Sequence, residues 1–244
     1  MKRIEERKKK LTPKHVIFLI LEAIVILLLL TAYIFPMFYM ISTSLKTMRE
    51  VNVSPPTLWP EILQWQNYAE AWQKMNFFHY FKNSVFISVM TIVGQLLVCV
   101  PCAYALAKKQ FVGRKFFHTL VLFDLIVPSQ IIFLSIYLIE SKINWINTYQ
   151  GLIVPFIYSA FSIFFLIQTF KTLPDDVLDA AKLDKCSEIQ IIGSIILPMA
   201  KPTIITTVMF TFVYKWNDYF WTSILTTDDA VRTLPLAIQN LMPV

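Results

Sequence analysis

The chain has 244 residues, 56% of them hydrophobic, with a mean hydropathy of +0.57 and a formal net charge of +6. That balance excludes a soluble domain of this length and places long uncharged runs in a bilayer. Four scattered glycines (Gly94, Gly113, Gly151, Gly193) leave no phosphate-cradling loop of the G-x-x-x-x-G-K type, and three cysteines make no disulfide framework.

Residues 1–14, MKRIEERKKKLTPK, read as a basic cytoplasmic tail. No nucleic-acid-reading fold accompanies it, so its charge is a topology signal. The first apolar stretch, 15–41, is too long for a cleaved signal peptide and no small-residue cleavage site follows it. Connection 42–82 carries Pro55, Pro56 and Pro60, then the aromatic run WQNYAEAWQKMNFFHYF. It is either an interfacial belt or a surface for an external partner. Further spans are expected at 83–107, 117–139, 149–170 and 203–225, each long enough to cross the hydrocarbon as a helix. The second contains Cys99-x-x-Cys102 within VCVPCAYALA. A redox pair needs an accessible thiolate, so small-residue helix packing is the preferred reading. Pro128 and Pro155 bend the third and fourth spans, as hinges or as static kinks. Fifteen of the 22 Lys and Arg residues fall on the side of the N-terminus and of 171–202, which places both in the cytoplasm.

The segment between the fourth and fifth spans is the least lipid-like connection. Five carboxylates fall between Asp175 and Glu188. Pro174 suits a helix start, with Asp175 and Asp176 in the first turn, where the helix dipole favours them. Val177, Ala180, Ala181 and Leu183 are expected to form a small apolar face. A break follows at Asp184-Lys185-Cys186. Ser187 and Gln190 then form a capping-box pattern that opens a second helix from Glu188 to about Ile196, ending before Pro198. The segment is either a solvated connection or a docking element whose small side chains, Ala180 and Ala181, admit close approach by another protein.

In the fifth span Lys215, Asn217 and Asp218 interrupt the apolar run, and Lys215 and Asp218 are spaced to pair. With Trp216 and Tyr219 they either line a polar path or sit at the membrane interface. Glu22 and Asp124 are lone acids in the first and third spans, and contact with a neighbouring subunit is their expected role. No two of the three histidines are close in sequence, so no local metal site is expected.

The pattern D-A-A-x-x-D-x-x-x-x-x-x-I-x-x-x-I-x-L-P from Asp179 to Pro198 resembles the EAA loop of binding-protein-dependent ABC importer permeases. Its matches are Asp179, Ala180, Ala181, Asp184, Ile191, Ile195, Leu197 and Pro198. Asn83-Ser84, A-Y-A-L-A (Ala103 to Ala107), F-V-G-R (Phe111 to Arg114), I-N-T-Y-Q-G-L-I-V-P (Ile146 to Pro155), W-N-D-Y-F-W (Trp216 to Trp221) and T-L-P-L-A-I (Thr233 to Ile238) are similar to the carbohydrate branch of these permeases, in particular its maltose-permease-like second subunit. The family carries Gly where Lys185 stands. The expected consequence is that Asp184 takes the left-handed conformation or that the turn is rebuilt.

The resemblance implies an all-α polytopic ABC importer permease fold, with residues 15–244 as the transmembrane domain and 171–202 as the cytoplasmic coupling loop. It implies that Asp179, Ala180, Ala181, Asp184, Lys185, Leu197 and Pro198 serve the ATPase joint; Trp216, Asn217, Asp218 and Tyr219 are the candidates for a path lining, against the interfacial belt. The implied partners are a homologous permease subunit forming a heterodimer, two ATPase subunits that bind the ATP, an extracytoplasmic sugar-binding protein and membrane lipid, with an oligosaccharide as solute. The chain itself is expected to hold no cofactor and to catalyse nothing. The implied location is a bacterial plasma (inner) membrane, N-terminus inside. The family has six spans, so a sixth is expected to be missing here. The competing readings are a polytopic membrane enzyme using Asp124, Glu22 or Asp218 as acid or base, and a permease for a solute other than sugar.

Overall fold

The computed structural model describes residues 13–240, so most of the basic tail assigned to 1–14 lies outside the described residues. The described residues are helical, with no strand among them. They fall into two compact units, residues 1–74 and 75–244.

In the first unit, α1 spans Pro13–Ser44 and carries Pro36 inside it. Its apolar window is bare on all sides, as befits a helix solvated by lipid or by another chain. The 45–74 region is held by polar contacts instead. The short helix α2 (Met48–Val51) opens with a Thr47–Glu50 capping box. The amide of Glu61 donates to Glu50 at 2.7 Å. Asn67 donates to the carbonyls of Ser44 and Lys46 at 2.9 Å each, at the start of α3 (Gln66–Lys74). Lys46 is buried and donates to the Thr57 carbonyl. The backbone hydrogen bonds from Glu61 and Thr47 hold the Glu50 carboxyl below its ordinary range.

The second unit is built around α4 (Phe77–Lys108), which starts six residues before the expected span because the aromatic run continues the helix. The following elements are α5 (Arg114–Asp124), α6 (Phe133–Lys142), α7 (Tyr149–Ile153), α8 (Ala160–Thr172), α9 (Asp175–Leu183), α10 (Glu188–Met199), α11 (Lys201–Trp216), α12 (Phe220–Leu225) and α13 (Leu234–Gln239). Three stretches are long and apolar enough to cross a membrane: His15–Ser44, Phe77–Lys108 and Tyr149–Thr172. The third and fifth expected spans are not straight helices. α5 and the helical stretch Ser129–Lys142 meet at 94° across Leu125–Pro128, and α10 and α11 meet at 86° at Ala200. Pro128 lacks a backbone donor and fixes its own φ, so the third run breaks there. The fifth also stops at Trp216 and resumes at Phe220, so 203–225 is two helices and a break.

α4 packs most extensively against α8, then against α11. The contact face carries small and polar side chains: Ser88, Thr91, Gln95, Cys99, Ala103 and Ala107 are all buried. Small residues let helix backbones approach closely where lipid offers no competing hydrophobic drive. Gly94 shows how close, since a Cβ there would stand 2.5 Å from the Ile157 side chain. Cys99 and Cys102 are free thiols within this packing.

Several motifs prove to be corner-makers. Gly113 has φ +90, open to glycine at little cost, and Arg114 turns back to donate to the carbonyls of Leu106 and Ala107 at 2.9 and 3.0 Å. These are orphan acceptors at the end of α4, and the guanidinium caps them. In I-N-T-Y-Q-G, Asn147 adopts φ +61 and its side chain receives the amides of Thr227 and Asp228 at 3.3 Å each. Thr148 caps α7 by accepting from the Gly151 amide at 3.2 Å. Tyr149 donates to Asn83 Oδ1 at 2.7 Å, and Asn83 Nδ2 donates to the carbonyls of Ala230 and Arg232 at 3.1 and 3.0 Å. Ser84 Oγ accepts from the Leu234 amide at 2.8 Å. Asn83 and Ser84 thus fasten the chain beyond α12 to the Phe77 end of α4.

Candidate functional site: a coupling segment and a membrane cavity

The acidic segment folds as two helices with a tight corner, and its detail departs from expectation in three places. Pro174 sits at the cap, one position before α9, with Asp175 and Asp176 in the first turn. Leu178 and Ala181 are the buried residues of α9, while Ala180 is exposed and Leu183 is 84% exposed. The outward face is therefore Asp176, Asp179, Ala180 and Leu183. Ala181 packs into the protein's own core and does not share a surface with Ala180. The reason is phase: Leu178 and Ala181 are one helical turn apart and follow the apolar side that Leu173 begins.

The second departure is at the corner. Lys185 itself takes φ +58, whereas Asp184 stays at φ −74, ψ 5. The Cys186 amide donates to the Ala181 carbonyl at 3.0 Å and the Lys185 amide to the Lys182 carbonyl at 3.0 Å. That pair of bonds is a Schellman ending, in which the residue at the position of Lys185 is left-handed and usually Gly. The turn is neither moved nor rebuilt, and the lysine bears its conformational cost, about 1 kcal/mol or more.

The second helix opens as expected. Ser187 Oγ accepts from the Gln190 amide at 3.4 Å, and Gln190 Oε1 receives the Ser187 amide at 2.7 Å. It does not end before Pro198. A π turn over Ile192–Ile196 leads into Leu197–Met199, so Pro198 lies in the final turn and the corner falls at Ala200. A widened turn already departs from the α-type ladder, which lets in a residue with no N–H to give.

The Lys108 end of α4 holds both ends of this segment. Lys108 Nζ donates to the Leu173 carbonyl and to Asp175 Oδ1, each at 2.6 Å. Tyr104 Oη donates to Glu188 Oε2 at 2.8 Å, and Lys109 Nζ pairs with Glu188 Oε1. The hydrogen bond and charge of Lys108 hold the Asp175 carboxyl below its ordinary value of 3.8. On the exposed face Lys182 Nζ meets Asp179 Oδ1 at 2.7 Å, which raises the lysine above its ordinary range.

The W-N-D block is divided. Lys215 and Asp218 pair at 2.7 Å, with side chains 2% and 5% exposed, and the ammonium lies 3.8 Å from the centre of the Phe156 ring. Asp218 Oδ1 also accepts from the Trp221 amide at 3.1 Å, and the Asp218 carbonyl accepts from Thr222 at 2.8 Å. Asp218 thereby closes the break between α11 and α12. Trp216 joins an aromatic cluster with Phe81 and Phe212, at centroid distances of 5.7 and 5.5 Å. Asn217 and Tyr219 are exposed.

A cavity of about 620 Å³ opens where the broken helices meet. Gln95 from α4 is its polar centre. Its Oε1 accepts from Thr211 at 2.7 Å and from Ser162 at 3.3 Å, and its Nε2 donates to the Phe156 carbonyl at 3.0 Å. Asp124, Ser129, Tyr158 and Tyr214 add polar groups, with Phe156, Phe161, Phe210 and Trp221 as aromatic walls. Asp124 therefore faces this cavity, where the sequence reading gave it a neighbouring subunit. None of Trp216, Asn217, Asp218 and Tyr219 is among the lining residues. Gln95 was legible as the one amide in the run TIVGQLLVCVP, but the other lining groups come from several separate helices and the turns between them and share no sequence pattern. No group of three or more potential metal-ligating side chains occurs among the described residues.

Residues 99–243 match the family described as binding-protein-dependent transport system inner membrane component. The chain belongs to that family. It is 31% identical over 212 residues, 86% of this chain and 76% of the relative, to the arabinooligosaccharides transport system permease protein AraQ of Halalkalibacterium halodurans. It is 29% identical over 199 residues, 79% of this chain and 71% of the relative, to the sn-glycerol-3-phosphate transport system permease protein UgpE of Yersinia pestis. The fold superposes with a TM-score of 0.82, at 23% identity, on a bacterial ABC transporter involved in the import of the acidic polysaccharide alginate, covering 96% of this chain and 84% of that one. The protein is thus a permease component of an ABC importer, integral to the membrane and multi-pass, working with an ATPase and a substrate-binding protein. The membrane-enzyme reading falls with that membership.

Proposed function

We propose that this permease carries a neutral saccharide, an oligosaccharide in preference to a polyol phosphate. The observation that carries the reading is the lining of the 620 Å³ cavity. It combines amide, hydroxyl and aromatic groups with one carboxylate, Asp124, and contains no lysine or arginine. Aromatic faces suit sugar rings, and amides and hydroxyls suit their hydroxyl groups. A phosphate buried there would meet an acid and no cation, which is costly. The broken helices around the cavity fit the general pattern of transporter sites, in which interrupted helices line the solute position. Asn217 and Tyr219, exposed beside it, extend the path, while Trp216 and Asp218 hold their break in shape.

In this reading 171–202 is the cytoplasmic coupling loop and the N-terminus is inside, as the Lys and Arg distribution supports. The outward face of α9, with Asp179 and Ala180, docks on the ATPase, and Asp184, Lys185, Leu197 and Pro198 fix the corners that hold it. A homologous permease subunit completes the pore, two ATPases drive it, and an extracytoplasmic binding protein delivers the sugar. The test is uptake into proteoliposomes by the whole complex. Neutral oligosaccharides should enter in an ATP-dependent manner, and Tyr214→Phe with Gln95→Leu should reduce entry while the ATPase still co-purifies. Transport of glycerol phosphate with no transport of neutral saccharides would overturn the assignment.

A further inference from the structure

We infer that α4 is the transmission element between the ATPase joint and the solute cavity, with Tyr104, Lys109 and Glu188 as positioning residues that carry the movement. This rests on the docking reading above.

The argument starts from how the coupling segment is attached. α9 buries Leu178 and Ala181, and beside them lies an open cleft of about 320 Å³, lined by Tyr104, Lys108, Lys109, Arg114, Asp179 and Lys182 among others. Across that cleft the attachment is polar. Lys108, its side chain 7% exposed, grips the entry to α9 through Leu173 and Asp175. The exit is gripped at Glu188, where one carboxylate receives both the Tyr104 hydroxyl and the Lys109 ammonium, and the ammonium lies 5.3 Å from the centre of the Tyr104 ring. Two grips on one helix end, one at the start of α9 and one at the start of α10, oblige α4 to follow any displacement of the segment.

α4 then leads directly to the cavity. Gln95 stands nine residues before Tyr104, roughly 14 Å along the helix. Its three hydrogen bonds reach α8, α11 and the turn before α8 at the cavity wall. Charge-assisted hydrogen bonds are short and directional, so they can transmit a pull that an apolar contact would let slip. The part of this link that belongs to the segment is Glu188. Arg114 is left out of it because its hydrogen bonds go to the Leu106 and Ala107 carbonyls of α4 itself and not to the segment.

The experiment uses the complete importer in proteoliposomes, and reads solute moved per ATP hydrolysed alongside ATPase co-purification and melting temperature. Tyr104→Phe combined with Glu188→Leu should lower solute moved per ATP by about fivefold or more, the scale of an ordinary coupling free energy. ATPase co-purification and the melting temperature should stay at wild-type values. The exchange Lys109→Glu with Glu188→Lys restores opposite charges and should recover most of the loss, which a merely structural role would not predict. Unchanged solute per ATP in the double variant would overturn the inference. So would loss of the ATPase from the complex, since these residues would then be shaping the dock. Failure of the docking reading shows separately, as undiminished ATPase binding in Ala180→Trp.

Discussion

Replacing Asp218 by alanine decides whether the W-N-D block is first a lining or first a lock. The carboxylate is 5% exposed and serves two partners, Lys215 at 2.7 Å and the Trp221 amide at 3.1 Å. Its removal leaves an ammonium that is 2% exposed with the Phe156 and Tyr214 rings, at 3.8 and 6.0 Å, but no carboxylate beside it. Breaking a buried pair from one side typically costs about 3–5 kcal/mol, because the remaining charge is uncompensated. For a chain of this size that corresponds to a fall in melting temperature of about 10 °C. Asp218→Ala should therefore lose stability and assembly along with uptake. Removing both charges, Lys215→Met with Asp218→Leu, should recover most of the melting temperature, since paired removal is often neutral. The assay is thermal unfolding of the detergent-solubilised complex, followed by size-exclusion chromatography. If Asp218→Ala melts within about 2 °C of wild type and only uptake falls, the lock argument is wrong and Asp218 lines the path.

On α9 the two alanines should separate cleanly. Ala180→Trp should overfill the docking surface and weaken ATPase binding roughly tenfold with the permease still folded, whereas Ala181→Trp should overpack the protein's own core by about 1–3 kcal/mol and lower its melting temperature. Co-purification and thermal unfolding read the two effects. Lys185→Gly should raise the unfolding free energy by up to about 1 kcal/mol, since glycine accepts the left-handed corner that lysine resists; a lowered stability would show that the lysine has a compensating partner. A cysteine at Thr57 should react with an impermeant thiol reagent in whole cells and one at Ser187 should not, and the reverse pattern would invert the topology.

Much of this was legible because membrane segments advertise themselves by length and apolarity. The apolar runs expected at 83–107 and 149–170 fall within the helical stretches Phe77–Lys108 and Tyr149–Thr172, the first of which begins six residues earlier. The Ser187–Gln190 capping box and the Lys215–Asp218 spacing are local signals, and both resolve as hydrogen-bonded pairs. What could not be read was direction. Apolarity has no axis, so a bend was expected at Pro128 and an end before Pro198, but not the angles of 94° and 86° by which the helices turn at Leu125–Pro128 and at Ala200. Nor could the phase of a nine-residue helix be set from alanines alone. Ala180 and Ala181 looked like one surface, and only Leu178, buried beside Ala181, tells them apart. The cavity was hidden for a different reason. Gln95, Ser162 and Thr211 are isolated by sequence in three separate apolar runs that hold other polar residues too, and their meaning appears only when they meet at one carbonyl oxygen.

The helix that unites these features also carries a proline in a telling place. At its Phe77 end α4 is tied to the chain beyond α12 by Asn83 and Ser84; at its middle Gln95 joins α8 and α11; at its Lys108 end it holds the acidic segment. Pro101 lies inside α4, between Gln95 and Tyr104. A proline there leaves the Leu97 carbonyl without its usual helical donor and crowds the preceding turn, so this is where the backbone of α4 resists bending least. A straight rod would transfer every displacement of the joint to the Asn83 anchor as well. In the docking reading, a compliant point between Gln95 and Tyr104 lets the Lys108 end swing with the acidic segment while the Phe77 end stays fastened, and the swing is passed on to Gln95, at the wall of the cavity.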